Sequence, residues 1–164
     1  MPEVTLERPQ PQHTEDLGRI CYEAFRDVSE RHGFESDFHS VEFAQAVIGA
    51  NVRSETSYSI AAFLGGRPAG SNFMTLGRDV GGIGPISVDV AAQGRGIGRM
   101  LMEDALRHAS DTGIERVRLV QDAFNVVSMS LYAAVGFDTK EPLGLLQLAA
   151  GERPRRIYPA RDAG

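Results

Sequence analysis

Gln93-Gly94-Arg95-Gly96-Ile97-Gly98 is the stretch that decides the fold of this chain. It follows an apolar run, Ile83 to Val90. It opens a segment in which Ile97, Met100, Leu101, Ala105, Leu106 and Ala109 recur at helical spacing. A strand that turns through glycines into a helix presents free amide N–H groups, and the helix dipole favours negative charge there. Such a turn is an anion site, for phosphate or pyrophosphate above all. Glycine brings the backbone close to the ligand and supplies positive φ. The spacing departs from that of the nucleotide folds. Gly98 comes one residue too early for G-x-G-x-x-G, the turn lies mid-chain after a hairpin, and no Gly-Lys-Ser/Thr follows.

The pattern extends outward from this turn. Tyr58 to Leu64 and Ala69 to Leu76 read as a hairpin about Gly65-Gly66, with Pro68 shortening the start of the second strand. Gly77 to Gly82 reads as a loop, and Gly84-Pro85 interrupts the third strand, where proline favours an edge or a bulge. Upstream, Val4 and Leu6 suit a short strand. Thr14-Glu15-Asp16 starts a helix carrying Leu17, Ile20, Cys21, Ala24, Phe25 and Val28 on one face, interrupted by Gly33. Ser40 caps a second helix, with Phe43, Ala44, Val47 and Ile48 on its apolar face. Downstream, Val117 to Val120 is a strand, and Asn125 caps a helix that runs to Val135 and stops at Gly136. Phe137 restarts extended chain, and Leu143 to Leu148 is apolar enough for another strand. This order predicts an α/β or α+β fold with a mixed sheet.

Composition bounds the function. The 164 residues suit one domain, placed at 1–150, with 151–164 as a polar tail or a short last strand. The net charge of −5 argues against nucleic acid as the main partner. No apolar run approaches the roughly 20 residues of a membrane span, and Met1-Pro2-Glu3-Val4 does not open a signal peptide. Cys21 is the only cysteine, which fits a reducing cytoplasm and a buried apolar role. Lys140 is the only lysine among 17 cationic residues, a bias of GC-rich bacterial coding. No His/Cys cluster has metal-ligand spacing, so no metal is expected. Arg153-Pro154-Arg155-Arg156 reads as a solvated patch.

Val88-Asp89-Val90-Ala91-Ala92-Gln93-Gly94-Arg95-Gly96-Ile97-Gly98-Arg99 resembles the acyl-CoA signature of GNAT-type N-acetyltransferases. Val90 stands where many relatives have proline. A second stretch, Asn125-x-x-Ser128-x-x-Leu131-Tyr132-x-x-x-Gly136-Phe137, is similar to the family helix that flanks the pantetheine arm. The resemblance covers Val4 to roughly Leu148 and implies a mostly antiparallel sheet of about six or seven strands flanked by about four helices. It implies acetyl-CoA as donor and an amine, on a small molecule or a peptide, as acceptor, attacked directly through a tetrahedral intermediate. Two parallel strands, Ile83–Val90 and Val117–Val120, would part at a bulge near Gly84-Pro85 and admit pantetheine. Amides near Ile86, Ser87 and Val88 would bond pantetheine and polarise the thioester carbonyl. Those of Gly94 to Arg99 would hold the pyrophosphate behind Gln93. Arg95 and Arg99 add charge or are simply exposed. Asn125, with Ser128, bonds pantetheine or only caps its helix. Tyr132 matches the family position that protonates the leaving thiolate, in competition with plain packing beside Leu131 and Val135.

The acceptor side is less legible. Some relatives carry a glutamate on the bulged strand, but Gly84-Pro85-Ile86-Ser87 has none. Asp122, Glu23 and His32 are the candidate bases, each competing with a solvated role. Tyr22, Phe25, His32, Phe34, Phe38 and His39 supply aromatics in the region the family uses for the acceptor, and Asn72 and Gln121 lie at or near strand ends facing the cleft. No cluster of acids stands out that would select a polyamine. Glu141 to Gln147 also resembles the end of the first half of tandem GNAT proteins, so a last strand from a dimer partner is one expectation. A non-catalytic acyl-CoA-binding or regulatory domain is the rival from another class.

Overall fold

The structure, a computed structural model, describes residues 3–144. Five strands and four α-helices follow one another among the described residues: β1 (Val4–Glu7), α1 (Thr14–His32), α2 (Val41–Arg53), β2 (Ser57–Leu64), β3 (Arg67–Leu76), β4 (Val80–Val88), α3 (Ile97–Asp111), β5 (Arg116–Arg118) and α4 (Val126–Ala134). The sheet runs β1-β2-β3-β4-β5 in sequence order. β1 to β4 pair antiparallel, whereas β5 joins β4 in parallel through the α3 crossover.

Both faces of the sheet are covered, so β2 is buried or half-buried along its whole length and is apolar throughout from Ile60 to Leu64. Ala61 and Phe63 face α1 and α2, where they meet Leu17, Ile20 and Ile48 with Phe73 of β3. Ile60 and Ala62 face the other way, onto Ile97 and Leu101 of α3. Each fully buried Leu or Ile of these layers contributes about 1.5–3 kcal/mol of apolar transfer. Gly18 lets α1 and α2 touch, because a β-carbon there would lie 2.6 Å from the Gln45 Cα. α1 ends at Gly33 with φ 75°, and Ser40 Oγ accepts the Phe43 amide at 3.1 Å to start α2. Cys21 is buried in the first layer, where burial pushes its thiol up to about 12.

Several boundaries depart from the sequence-based expectations. Five strands, not six or seven, are present among the described residues. Phe137 to Gly144 forms no strand, and Leu145 to Leu148 and the 151–164 tail lie outside the described residues. β3 begins at Arg67, because Pro68 sits at a register shift between Ala62 and Phe63, where the missing N–H is tolerated. β4 begins at Val80, inside the expected loop, since Gly81 and Gly82 pair on both sides. β5 stops at Arg118, two residues short of Val120. Phe43 is 41% exposed and stacks on His39 instead of entering the core.

Candidate active site

β4 and β5 pair only from Val80↔Arg116 to Gly82↔Arg118, and beyond that rung they part. The cause lies on the other edge of β4. Asn72 pairs with Ile86 and Met74 with Ile83, so Gly84 and Pro85 both oppose Phe73. The extra residue bends β4, as bulges do. Gly84 has φ 144°, a value open to glycine. The β5-facing backbone of β4 beyond Gly82 therefore has no ladder partner among the described residues. The gap is a cavity of about 140 Å³. Ile83 to Ile86 form one wall and Leu119 to Asp122 the other, with Phe25, Asp37 and Tyr132 closing it.

β4 leads directly into the glycine turn. Asp89 Oδ1 accepts the Ala91 amide at 2.9 Å, and Gln93 Nε2 donates to the Val88 carbonyl at 3.3 Å, tying the turn to the strand end. Gly94 and Gly96 have φ 74° and 80°, with open space where a β-carbon would stand. Gly98 serves packing, since a β-carbon there would lie 3.2 Å from Leu131 Cδ2. The first closed rung of α3 is Met100 N–H to Gly96 C=O, 3.0 Å. The amides of Ile97, Gly98 and Arg99 precede it. No side chain caps them, and the first turn holds no acid. Arg99 is exposed and pairs with Glu103 at 2.7 Å, while Arg95 is exposed and makes no ion pair among the described residues.

α4 brings the second motif to the same place. Asn125 Oδ1 accepts the Ser128 amide at 3.2 Å and starts the helix. Tyr132, 9% exposed, packs with Met74, Ile83 and Met102 and lines the cavity. Burial raises its pKa, so the phenol holds its proton at neutral pH.

Other expected residues fall in different places. Ile86, Phe25 and Gln121 line the cavity. Ser87 is buried at the end of β4, and Val88 closes the strand opposite Gly70. Asn72 is fully buried away from the cavity, where its Nδ2 donates to the Leu101 carbonyl at 3.2 Å. His32 and Phe34 stack on Phe124 with ring centroids 5.2 and 4.5 Å apart, joining the chain after α1 to the chain before α4. Tyr22 and Phe34 line a second hollow beside Arg26 and Glu35. Glu23 is engaged by Arg19 at 3.2 Å, and His32 Nδ1 contacts the Val28 carbonyl at 2.7 Å.

Residues 14–137 match the family model described as the acetyltransferase (GNAT) family. This chain belongs to the GNAT acetyltransferase family. A curated mycothiol acetyltransferase of Saccharomonospora viridis is 38% identical over 65 residues, 40% of this chain and 21% of that protein. The chain thus spans about one fifth of the length of that relative. Among solved structures, the PaiA N-acetyltransferase of Thermoplasma acidophilum in complex with coenzyme A superposes with a TM-score of 0.76 at 17% identity. That match covers 87% of this chain and 94% of the other. A predicted acetyltransferase of Clostridium acetobutylicum, solved with acetyl-CoA, superposes with a TM-score of 0.68 at 15% identity, over 88% of this chain and 96% of the other.

In this GNAT fold one cavity residue escaped sequence reasoning. Asp37 sits in the Phe34–His39 loop, where nothing in the local pattern separates it from a solvated acid. It lines the cavity with Asp122. Burial raises the Asp122 pKa, and the charge of Asp37 raises it further. Among the described residues no helix is long and apolar enough to cross a membrane, and no metal-capable cluster gathers.

Proposed function

We propose that this chain, as one acyl-CoA-binding unit expected over residues 1–150, is a cytoplasmic acetyl-CoA-dependent N-acetyltransferase acting on a small-molecule or peptide amine. The observation that carries this reading is the parting of β4 from β5 around buried Tyr132, in line with the uncapped start of α3. Acetyl-CoA supplies the acetyl group as an activated thioester, which the amine attacks directly.

Each residue then has a physical task. The amides from Gly94 to Arg99 hold the pyrophosphate, favoured by the positive end of α3, and Arg95 and Arg99 add charge. Gln93 fixes the turn against Val88. The unpartnered edge of β4 at Ile86, Ser87 and Val88 bonds the pantetheine arm and polarises the thioester carbonyl. Asn125 and Ser128 set the start of α4 beside that arm. Tyr132 holds its proton until the thiolate leaves and then donates it.

Tyr132→Phe tests the assignment. Turnover is expected to fall at least about ten-fold, within the range of general-acid catalysis, while acetyl-CoA affinity changes less than about two-fold. Full turnover in the variant removes the acid role. Tight CoA binding without turnover in the wild type favours the non-catalytic binding domain, a reading kept open by the absence of an acid in Gly84-Pro85-Ile86-Ser87.

A further inference from the structure

The cavity at the parting of β4 and β5 is lined from both faces of the sheet. Tyr132 and Ile83 belong to the apolar layer beneath α3 and α4, with Met74 and Met102. Phe25, from α1, packs against the opposite layer, the one that holds Leu17, Ile20 and Phe73. The gap therefore runs through the sheet, with the Tyr132 phenol at one end and the Phe25 ring at the other. Between these ends Ile83, Pro85, Ile86 and Leu119 give it apolar walls. The Phe25 ring is held in place. Phe38 meets it edge-on, with ring centroids 4.8 Å apart and planes at 75°, and Phe38 is itself only 8% exposed. At about 140 Å³ the space is small beside the roughly 300–1,000 Å³ of a pocket for a drug-sized ligand.

We propose that Phe25 sets the acyl length of the donor, closing the cavity behind an acetyl group so that longer acyl chains are refused. The proposal rests on the acetyltransferase reading above, in which the pyrophosphate lies on the α3 turn and the thioester sulfur beside Tyr132. A donor that enters from that side points its acyl carbons through the sheet toward α1. Acetyl adds one methyl beyond the carbonyl. Each further methylene extends toward a ring that yields only by leaving Phe38, and packed cores resist such overfilling. A single methylene in an apolar pocket is worth about ten-fold or more in kcat/KM. Phe25 also borders the side from which an acceptor would approach. Comparing donors against one fixed amine separates the two roles, since a lost acceptor contact slows all donors alike.

The test measures kcat/KM for acetyl-, propionyl-, butyryl- and hexanoyl-CoA with one amine that the wild type uses. In the wild type, kcat/KM is expected to fall at least about ten-fold from acetyl- to butyryl-CoA. Phe25→Ala should bring that ratio to within about three-fold of one, and Phe25→Leu, which keeps an apolar side chain against Phe38, should lower it part of the way. If Phe25→Ala does not fold, Phe25→Leu decides alone. A flat donor profile in the wild type, or a ratio untouched in the folded variants, overturns the proposal. If no amine is acylated from any donor, the acetyltransferase reading has failed. The proposal is then read by calorimetric binding of the same four thioesters. Binding that weakens with acyl length in the wild type and levels in the Phe25 variants supports it. Equal affinity for all four in the wild type, or no binding of any, refutes it.

Discussion

Gly98 of α3 faces Leu131 of α4 so closely that a β-carbon on the glycine would stand 3.2 Å from Leu131 Cδ2. Leu131 immediately precedes Tyr132, so the glycine turn and the buried phenol are set by one helix contact. Gly98→Val should overpack this contact at a cost of about 1–3 kcal/mol. For a domain of this size that is a Tm loss of roughly 2–12 °C by scanning calorimetry. The kcat should fall as well, because α4 must move.

The start of α4 has a single side-chain cap, Asn125 Oδ1 on the Ser128 amide. Asn125→Ala should therefore cost about 1 kcal/mol, a Tm loss of roughly 2–4 °C. If Asn125 also bonds the pantetheine arm, the KM for acetyl-CoA rises in the same variant. Asn125→Asp, which keeps the cap, separates the two effects.

Asp122 gives a pH-dependent prediction. Its folded pKa is raised, by burial first and Asp37 second, so the folded chain resists its ionisation. Below the ordinary aspartate range the carboxyl is protonated in both states and has no effect. As pH climbs through that range the unfolded chain loses the proton first, and the folded state is penalised from there upward. Asp122→Asn should thus raise Tm at pH 7 and leave it nearly unchanged at pH 3. A Tm gain at pH 3 as large as at pH 7 would contradict this.

Away from the cavity, the Tyr58 hydroxyl donates to Asp104 Oδ1, and Arg107 engages the other oxygen. Asp104 is 7% exposed. Tyr58→Phe leaves this buried carboxylate short of a donor, at a cost of about 1–3 kcal/mol. Chemical denaturation should show that loss, with catalytic constants little changed.

The fold was legible where local signals agreed with packing. Ser40 and Asn125 cap helices, Gly33 ends one, and Gly65-Gly66 turns the hairpin, because those residue types act through their own backbone. The parting of β4 and β5 was expected from Gly84-Pro85, and the register shift lies there. Strand ends were less legible, since Val80 and Val120 are assigned by their partners and not by their own type. The Asp37–Asp122 side of the cavity was hidden for a similar reason. Asp37 and Asp122 become neighbours only when the chain after α1 folds against the chain after β5, and the Phe34–Phe124 stack that joins them has no sequence signature. Asn72 looked like a cleft residue by position, but strand alternation turns it onto α3.

The most direct test of acetyl transfer at this cleft is free-thiol release from acetyl-CoA by the purified wild-type chain, measured with and without amine acceptors. Steady thiol release that depends on an amine and is matched by acetylated product is the expected result. CoA binding with no amine-dependent thiol release from any acceptor class would contradict it.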